Sequence, residues 1–263
     1  MRMLVLGAGL QGSACAYDLL QNPDITQVRL ADLHFDHLPT FLKPLAGARL
    51  IPTPLDVRDR EAVLALMRES DAVMSAIPYY FNLQLAECAV EAGVHFCDLG
   101  GNTEIVLQQK ALADKAVAKG VTVVPDCGVA PGMVNILSQH GIAQLDTVDS
   151  VRIFVGGLPQ HPEPPLNYQI VYSLEGVLDY YTTLSWVVRK GKRVQVTALS
   201  ELEAVEFPAP VGTLEAFHTA GGLSTMALRY EGTIPTMEYK TLRYPGHAAP
   251  RSINAPNFKE IKS

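Results

Sequence analysis

Three glycines carry the clearest chemical signal in this chain. Gly7, Gly9 and Gly12 are spaced G-x-G-x-x-G within the opening stretch MRMLVLGAGLQGSACAYDLL. Between a strand and a helix, such glycines can hold the pyrophosphate of a dinucleotide. The first permits a tight turn, the second lets the backbone approach the phosphates, and the third lets the helix pack on the strand. The helix start adds unpaired N–H groups and a partial positive charge. Glycines alone are a weak signal, because many strand-to-helix turns contain them. Asp32 strengthens it, standing 20 positions after Gly12 at the end of QVRLAD. A carboxylate there accepts hydrogen bonds from both adenosine ribose hydroxyls and repels a 2′-phosphate. Leu33-His34-Phe35 follows, with no Arg or Lys to offset that repulsion, so the pattern favours NAD over NADP.

The same turn contributes Leu10 and Gln11 to the cofactor site. After the third strand, Asp56 and Val57 are placed to line the adenine, with an N-cap of the next helix as the other reading of Asp56. Ala76-Ile77-Pro78 closes the fourth strand at the sheet edge where a ligand crevice opens. Small residues and a proline there let a cofactor lie flat.

The elements that must position these groups alternate. Strands are predicted at Met3–Leu6, Gln27–Ala31, Arg49–Ile51, Ala72–Ile77, Val94–Cys97 and Val121–Val124. Helices are predicted at Gln11–Leu20, Asp59–Arg68, Phe81–Ala92 and Thr103–Lys119. Short buried strands joined by crossover helices imply a doubly wound α/β domain, a Rossmann-type parallel sheet covered on both faces. After Pro125 the rhythm changes. Met133–Leu145 reads as a helix and Val151–Val155 as a strand, and four prolines in PQHPEPPLNY forbid regular structure. Ser173 can cap a helix to Tyr181. Arg193–Ala198 and Met237–Arg243 alternate like half-buried strands. The division is therefore a nucleotide domain over residues 1–128, a second, sheet-containing α/β domain over 129–250, and a polar tail over 251–263.

Composition narrows the function. The 263 residues are 48% hydrophobic and 18% charged, as in a globular protein with a sizeable core. A net charge of −6 with no basic cluster argues against a nucleic-acid partner. No apolar run approaches a membrane span, and no signal peptide is evident. Cys15, Cys88, Cys97 and Cys127 show neither C-x-x-C nor metal-ligand spacing, which reads as reduced thiols in a cytoplasmic protein. His34 and His37 form H-x-x-H without a third ligand nearby, so no metal is expected.

With the glycines placed, the segments HFCDLGGN, VVPDCGVAPGMVN, PQHPEPPLNYQIVYSLEGVLDYY, EAFHTAGGLSTM and EYKTLRYPGH resemble the saccharopine dehydrogenase-like family, and within it the lysine 6-dehydrogenase type. The resemblance runs from residue 1 to about residue 247. It implies NAD-dependent oxidative deamination of the lysine ε-amine, a second domain closing over the nicotinamide, and a homodimer. The product aldehyde cyclises, and ammonia is released. By analogy Asp98-Leu99-Gly100 and the segment from Asp126 to Gly132, with Ala130 and Pro131, line the crevice between domains, Leu99 toward the cofactor. Members of the family usually continue past the GH element, so the second domain reads as shortened at its C-terminus. Two other functions stay open: NAD(P)-dependent reductive condensation of the saccharopine or carboxyspermidine type, and a catalytically silent dinucleotide-binding relative.

Hydride leaves a carbon bearing a neutral amine, whereas a lysine amine has a pKa of ~10.4 in water. A site for this chemistry must bind the cation and remove a proton. Asp98 and Asp126, each ending a strand on the crevice side, could attract the ammonium or simply cap loops. His218 could relay the proton or be a solvated surface histidine. The substrate α-carboxylate needs a cation or N–H groups, for which Arg243 and the helix start at Ser173 are candidates. A structural ion pair is the other reading of Arg243. Tyr168 and Tyr172 could wall the aliphatic chain or pack in the core.

Overall fold

The computed structural model describes residues 1–35, 38–164, 166–170 and 173–248. His37, Tyr172 and the 251–263 tail lie outside the described residues. The chain divides into two compact units, the first ending at Gly132 and the second beginning at Met133.

In the first unit the elements run β1 (Arg2–Leu6), α1 (Leu10–Gln21), β2 (Gln27–Asp32), β3 (Leu50–Pro54), α2 (Arg60–Arg68), β4 (Ala72–Ser75), α3 (Asn82–Ala92), β5 (His95–Asp98), α4 (Thr103–Lys110), α5 (Ala113–Lys119) and β6 (Val123–Val124). The six strands form one parallel sheet in the order β3-β2-β1-β4-β5-β6. Leu4, Val5 and Leu6 of β1 are fully buried, because helices cover both faces of a parallel sheet. One cluster packs Leu4, Leu6 and Phe96 against Leu64, Met67 and Leu85, and the other packs Val5, Val28 and Leu30 against Ala16 and Leu20. The strand order reverses between β1 and β4, and in such sheets ligands bind beyond the strand C-termini at that reversal. The glycine turn follows β1 at that point.

One expected helix is two. The predicted Thr103–Lys119 helix breaks at Ala111–Leu112, where Leu112 N–H bonds Gln109 O and Ala111 N–H bonds both Leu107 O and Gln108 O. The tightened turn buries Leu112, and neither Gly nor Pro marks it.

The second unit runs α6 (Met133–Ile142), β7 (Ser150–Val155), α7 (Leu174–Thr182), β8 (Ser185–Arg189), β9 (Lys192–Val196), β10 (Glu203–Glu206), β11 (Thr213–His218), α8 (Met226–Arg229) and β12 (Thr236–Arg243). Its sheet is mainly antiparallel and centred on β12, which pairs in parallel with β7 and antiparallel with β8 and β11. The expectation of a half-buried alternating strand at Met237–Arg243 is corrected: Met237 to Arg243 are all buried, Glu238, Lys240 and Arg243 included. No helix among the described residues is long and apolar enough to cross a membrane.

Candidate functional site

The glycine turn is built by exclusion of side chains. Gly7 has φ +98°, and a Cβ on it would stand 2.8 Å from Ala76 O and 2.9 Å from Ile77 Cγ2. A Cβ on Gly12 would fall 1.8 Å from Gly7 O, so α1 could not start where it does. Gly9 is different: a Cβ there would meet nothing within 4 Å. Its missing side chain leaves open space in front of the helix start, which is the room a pyrophosphate needs. Gly9 is also the N-cap of α1, with no side-chain cap and no acid in the first turn, so the helix N–H groups are not taken by a carboxylate of their own helix. Gly7 N–H bonds Ala31 O at 2.7 Å, Ala76 N–H bonds Leu6 O at 2.8 Å, and Ser13 Oγ–H bonds Ala8 O at 2.8 Å.

Asp32 is part of this turn. Its Oδ2 accepts from Ala8 N–H at 2.6 Å, while Oδ1 lies 3.4 Å from His34 N. The half-buried carboxylate therefore fixes the loop and keeps acceptor capacity at the C-terminal end of β2. These residues fit a dinucleotide: a cradle with no Cβ in it, a helix start, and a carboxylate beside both. The N-cap reading of Asp56 is corrected, its carboxylate being engaged within its own loop. Arg58 Nε and Nη2 grip its carboxylate at 2.9 and 2.7 Å, and that pairing draws its pKa down to about 2. The cap of α2 is Asp59, whose Oδ1 accepts from Ala62 N–H at 3.1 Å. Val57 packs against the core.

Further along the same sheet edge, Asp98 is fully buried. Its Oδ2 accepts from Gln109 Nε2 at 2.6 Å, and its Oδ1 accepts from Gly100 N–H at 2.7 Å and Asp126 N–H at 3.3 Å. Burial raises its pKa despite those bonds. The expected ammonium-binding role for Asp98 is thereby corrected: no face of the carboxylate is open, and it ties β5, the Gly100 turn, α4 and the segment after β6 together. Gln109 was missed because a polar residue inside a helix carries no spacing signal. Gly100 is the glycine that packing requires, since a Cβ on it would lie 2.0 Å from Asp126 Oδ1. Asp126 itself is half-exposed with φ +62°. Leu99 packs with the α1-side core, Ala130 is half-buried, and Pro131 is buried.

In the second unit, Arg243 is buried without a counter-charge among the described residues. Its Nε donates to Tyr181 Oη at 3.0 Å, Nη1 to Leu242 O at 2.8 Å and Nη2 to Tyr180 Oη at 3.4 Å. The guanidinium carbon lies 4.2 Å from the Tyr168 ring centre. Among the described residues no carboxylate comes within 4.0 Å, so the ion-pair reading of Arg243 is set aside. Tyr181 also bonds His247 Nε2 at 3.0 Å, and burial pushes its phenol up to about 12. Tyr180, Tyr181 and His247 were not singled out as site residues, although the segments LDYY and YPGH that hold them were.

Two other candidates are corrected. His218 is neither a surface residue nor accessible for proton relay, being fully buried between Tyr239 O at 3.2 Å and Glu201 Oε2 at 3.0 Å. The Ser173 hydroxyl accepts from Gly176 N–H at 3.3 Å as the N-cap of α7, and Glu175 places negative charge in the first turn, so this helix start repels a carboxylate. Glu201, His218 and Glu238 bring ligand atoms within 4.8 Å of one another. Arg189 reaches both glutamates at 2.9 and 2.6 Å, and Arg152 reaches Glu238 at 2.5 Å, so the cluster is a charge-balanced network.

Against this geometry the comparisons agree with one another. A family model described as the saccharopine dehydrogenase NADP binding domain matches residues 3–124, and one described as the saccharopine dehydrogenase C-terminal domain matches residues 128–255. The chain belongs to the saccharopine dehydrogenase-like family. It is 26% identical over 259 residues to the mitochondrial alpha-aminoadipic semialdehyde synthase of Mus musculus, covering 94% of this chain and 27% of that protein. It is 28% identical over 182 residues to the NADP(+), L-glutamate-forming saccharopine dehydrogenase of Saccharomyces cerevisiae, covering 67% of this chain and 39% of that one. The chain thus spans well under half the length of these curated relatives. An apo saccharopine dehydrogenase structure from S. cerevisiae superposes with a TM-score of 0.75 at 23% identity, over 94% of this chain and 56% of that one, which establishes the shared fold. The first unit of this family member is a nicotinamide-dinucleotide-binding domain, and the family is one of oxidoreductases acting on small amino-acid substrates.

Proposed function

We propose that this family member is an NAD-dependent dehydrogenase that oxidises the ε-carbon–nitrogen bond of lysine and releases ammonia. The observation that carries the reading is Arg243, a buried guanidinium held by hydroxyls and a carbonyl with no carboxylate beside it among the described residues. Burying an unpaired cation is costly, and a substrate carboxylate is the partner whose planar geometry matches the guanidinium fork. Asp32 supports NAD over NADP, because a 2′-phosphate would meet a carboxylate already fixed to the Ala8 N–H.

In this reading Gly7, Gly9, Gly12 and the start of α1 hold the pyrophosphate, and Asp32 holds the adenosine ribose. When bound there, the dinucleotide would supply the hydride acceptor. Arg243 orients the α-carboxylate, and Tyr168 flanks the chain. The ammonium loses a proton to water, so that a neutral amine is present when hydride departs. Water then replaces nitrogen on the oxidised carbon, leaving an aldehyde that cyclises onto the α-amine.

A second reading is favoured by the relatives: NADP-dependent reductive condensation of an amino acid with the semialdehyde. One experiment separates them. Incubation with lysine and NAD, followed by absorbance of reduced cofactor and by ammonia release, is expected to show both signals in step. Turnover only with NADPH, glutamate and the aldehyde, read as loss of reduced cofactor, would establish the second reading. Dinucleotide binding with no turnover on any amine would overturn both and leave a catalytically silent relative.

A further inference from the structure

Arg243 is aimed by a chain of hydrogen bonds whose direction its members dictate. Its Nε donates to Tyr181 Oη, and each terminal nitrogen spends one N–H, Nη1 on Leu242 O and Nη2 on Tyr180 Oη. A guanidinium has five N–H groups, so one remains on each terminal nitrogen, the pair that a carboxylate bridges. The direction in which that pair faces depends on Tyr181, the acceptor at Nε. Tyr181 depends in turn on His247. His247 Nδ1 lies 3.0 Å from Leu166 O, which can only accept, so Nδ1 carries a proton. Nε2 lies 3.0 Å from Tyr181 Oη, which already accepts from Arg243. In a neutral ring Nε2 is an acceptor, and the Tyr181 O–H donates to it.

The imidazole is held on every side. Glu215 of β11 accepts from Gly246 N–H at 2.8 Å and from Ala248 N–H at 3.2 Å, which clamps the turn before and after His247. Phe217 stacks on the ring with the two planes 8° apart, and Tyr168 stands across it at 83°. Its charged and titratable neighbours include Arg243, Glu215, Tyr168 and Tyr181. Burial, with the Arg243 charge adding to it, lowers the His247 pKa against the opposing pull of Leu166 O and Glu215, which keeps the ring neutral.

We propose that His247, as the Nδ1–H tautomer, is a positioning residue for substrate binding. By taking the Tyr181 proton it turns the phenol lone pairs to Arg243 Nε, and so presents the two remaining guanidinium N–H groups to an α-carboxylate. This role rests on the reading of Arg243 as the carboxylate site and names what aims it. Without an acceptor at Nε2 the hydroxyl can turn its proton toward Arg243, and the fork loses its aim.

Two measurements on the whole chain test it. Heteronuclear NMR of nitrogen-labelled histidines at neutral pH, without substrate and assigned by loss of the signal in His247→Gln, is expected to show a protonated Nδ1 and an unprotonated Nε2. Calorimetric titration with L-lysine and with cadaverine, which keeps the amine and lacks the carboxylate, is run with NADH present so that nothing turns over. The ratio of the two affinities reads the carboxylate's share of binding. In His247→Leu that ratio is expected to fall about tenfold. In His247→Gln, whose side-chain oxygen can accept from Tyr181, it should stay within about threefold of wild type. Tyr181→Phe should match His247→Leu, and it carries the comparison if His247→Leu does not fold. A protonated Nε2, or a ratio kept in His247→Leu and Tyr181→Phe but lost in Arg243→Gln, would overturn the role of His247 and leave the reading of Arg243 standing. Equal wild-type affinities for lysine and cadaverine, or a ratio unchanged in Arg243→Gln, would overturn that reading and this role with it.

Discussion

β1 and β12 are both central, buried strands, and they are buried by opposite means. β1 reads RMLVL, and its Leu4, Val5 and Leu6 need only apolar neighbours. β12 reads TMEYKTLR and buries Glu238, Lys240 and Arg243 within one strand. Each of these has donors or acceptors in place: Arg152 and Arg189 on Glu238, Glu203 and Glu201 O on Lys240, and tyrosines on Arg243. Stability in the first unit thus rests on area removed from water, and in the second partly on satisfied charge. Of the three, Arg243 is the one whose partners are neutral, and the proposed substrate carboxylate would supply its counter-charge.

The sharpest break is expected in the first unit. Gly12→Ala puts a methyl 1.8 Å from Gly7 O, a backbone atom that cannot step aside. It should destabilise this unit by about 3 kcal/mol, at the upper end for overpacking, and abolish dinucleotide binding. Gly9→Ala meets nothing within 4 Å, so the fold should keep its stability while dinucleotide affinity falls about tenfold, or ~1.4 kcal/mol. Urea titration and cofactor titration, run on both variants, separate the two outcomes. Equal loss of stability in both would deny that Gly9 faces open space.

In the second unit the comparable break is Glu238→Ala. It strips acceptors from Arg152 and Arg189, both of which reach solvent and can partly rehydrate. A cost of about 2–3 kcal/mol is expected, close to that of Leu4→Ala in β1 but of different origin. A double-mutant cycle distinguishes them: Glu238→Ala should couple to Arg152→Ala and add independently to Leu4→Ala. Trp186 is the only tryptophan and stands in β8 with Arg193 stacked 4.5 Å above it, so fluorescence reports the second unit.

The same contrast explains what the sequence made readable. In the first unit every strand and nearly every helix follows from apolar runs punctuated by Gly and Pro, and the glycine–Asp32 pattern places the cofactor site. The Ala111–Leu112 break escaped because backbone tightening without Gly or Pro leaves no letter behind. In the second unit β8, β10 and β11 went unread, since EAVE looks like surface and TLEAFH ends in a histidine that is buried only by virtue of Glu201 and Tyr239 O. Asp98 and His218 look like acids and bases in one dimension. Their partners, Gln109 and Glu201, are brought to them only by the fold.

Helix caps offer a smaller and matched test. Asp59 caps α2 through Ala62 N–H at 3.1 Å, and Ser173 caps α7 through Gly176 N–H at 3.3 Å. Each change to Ala should cost about 1 kcal/mol. Lysine affinity should be unchanged in Ser173→Ala, because the hydroxyl serves the helix and not a ligand. A specific rise in KM there would restore Ser173 to the substrate site.

The smallest effect separates the units by sign. Asp98 has a raised folded-state pKa because it is buried, so the folded state binds its proton more readily than the unfolded chain does. That contribution favours folding below the ordinary carboxyl range and is lost as pH rises through the raised value. Glu238 runs the other way. Its burial raises its pKa, but Arg152 and Arg189 together outweigh that and leave it lowered. Glu201, bonded to His218 and Arg189, is lowered as well. Their contributions are present above the ordinary glutamate range and are lost as pH falls through the lowered values. Acidification from neutral pH should therefore relieve the first unit at Asp98 and then loosen the second at β12. Amide exchange across that range is expected to show β12 and β11 losing protection while β5 holds or gains it, and Asp98→Asn should flatten the β5 response alone. Loss of protection in β5 before β12 would mean that buried charge, not its pairing, governs both sheets.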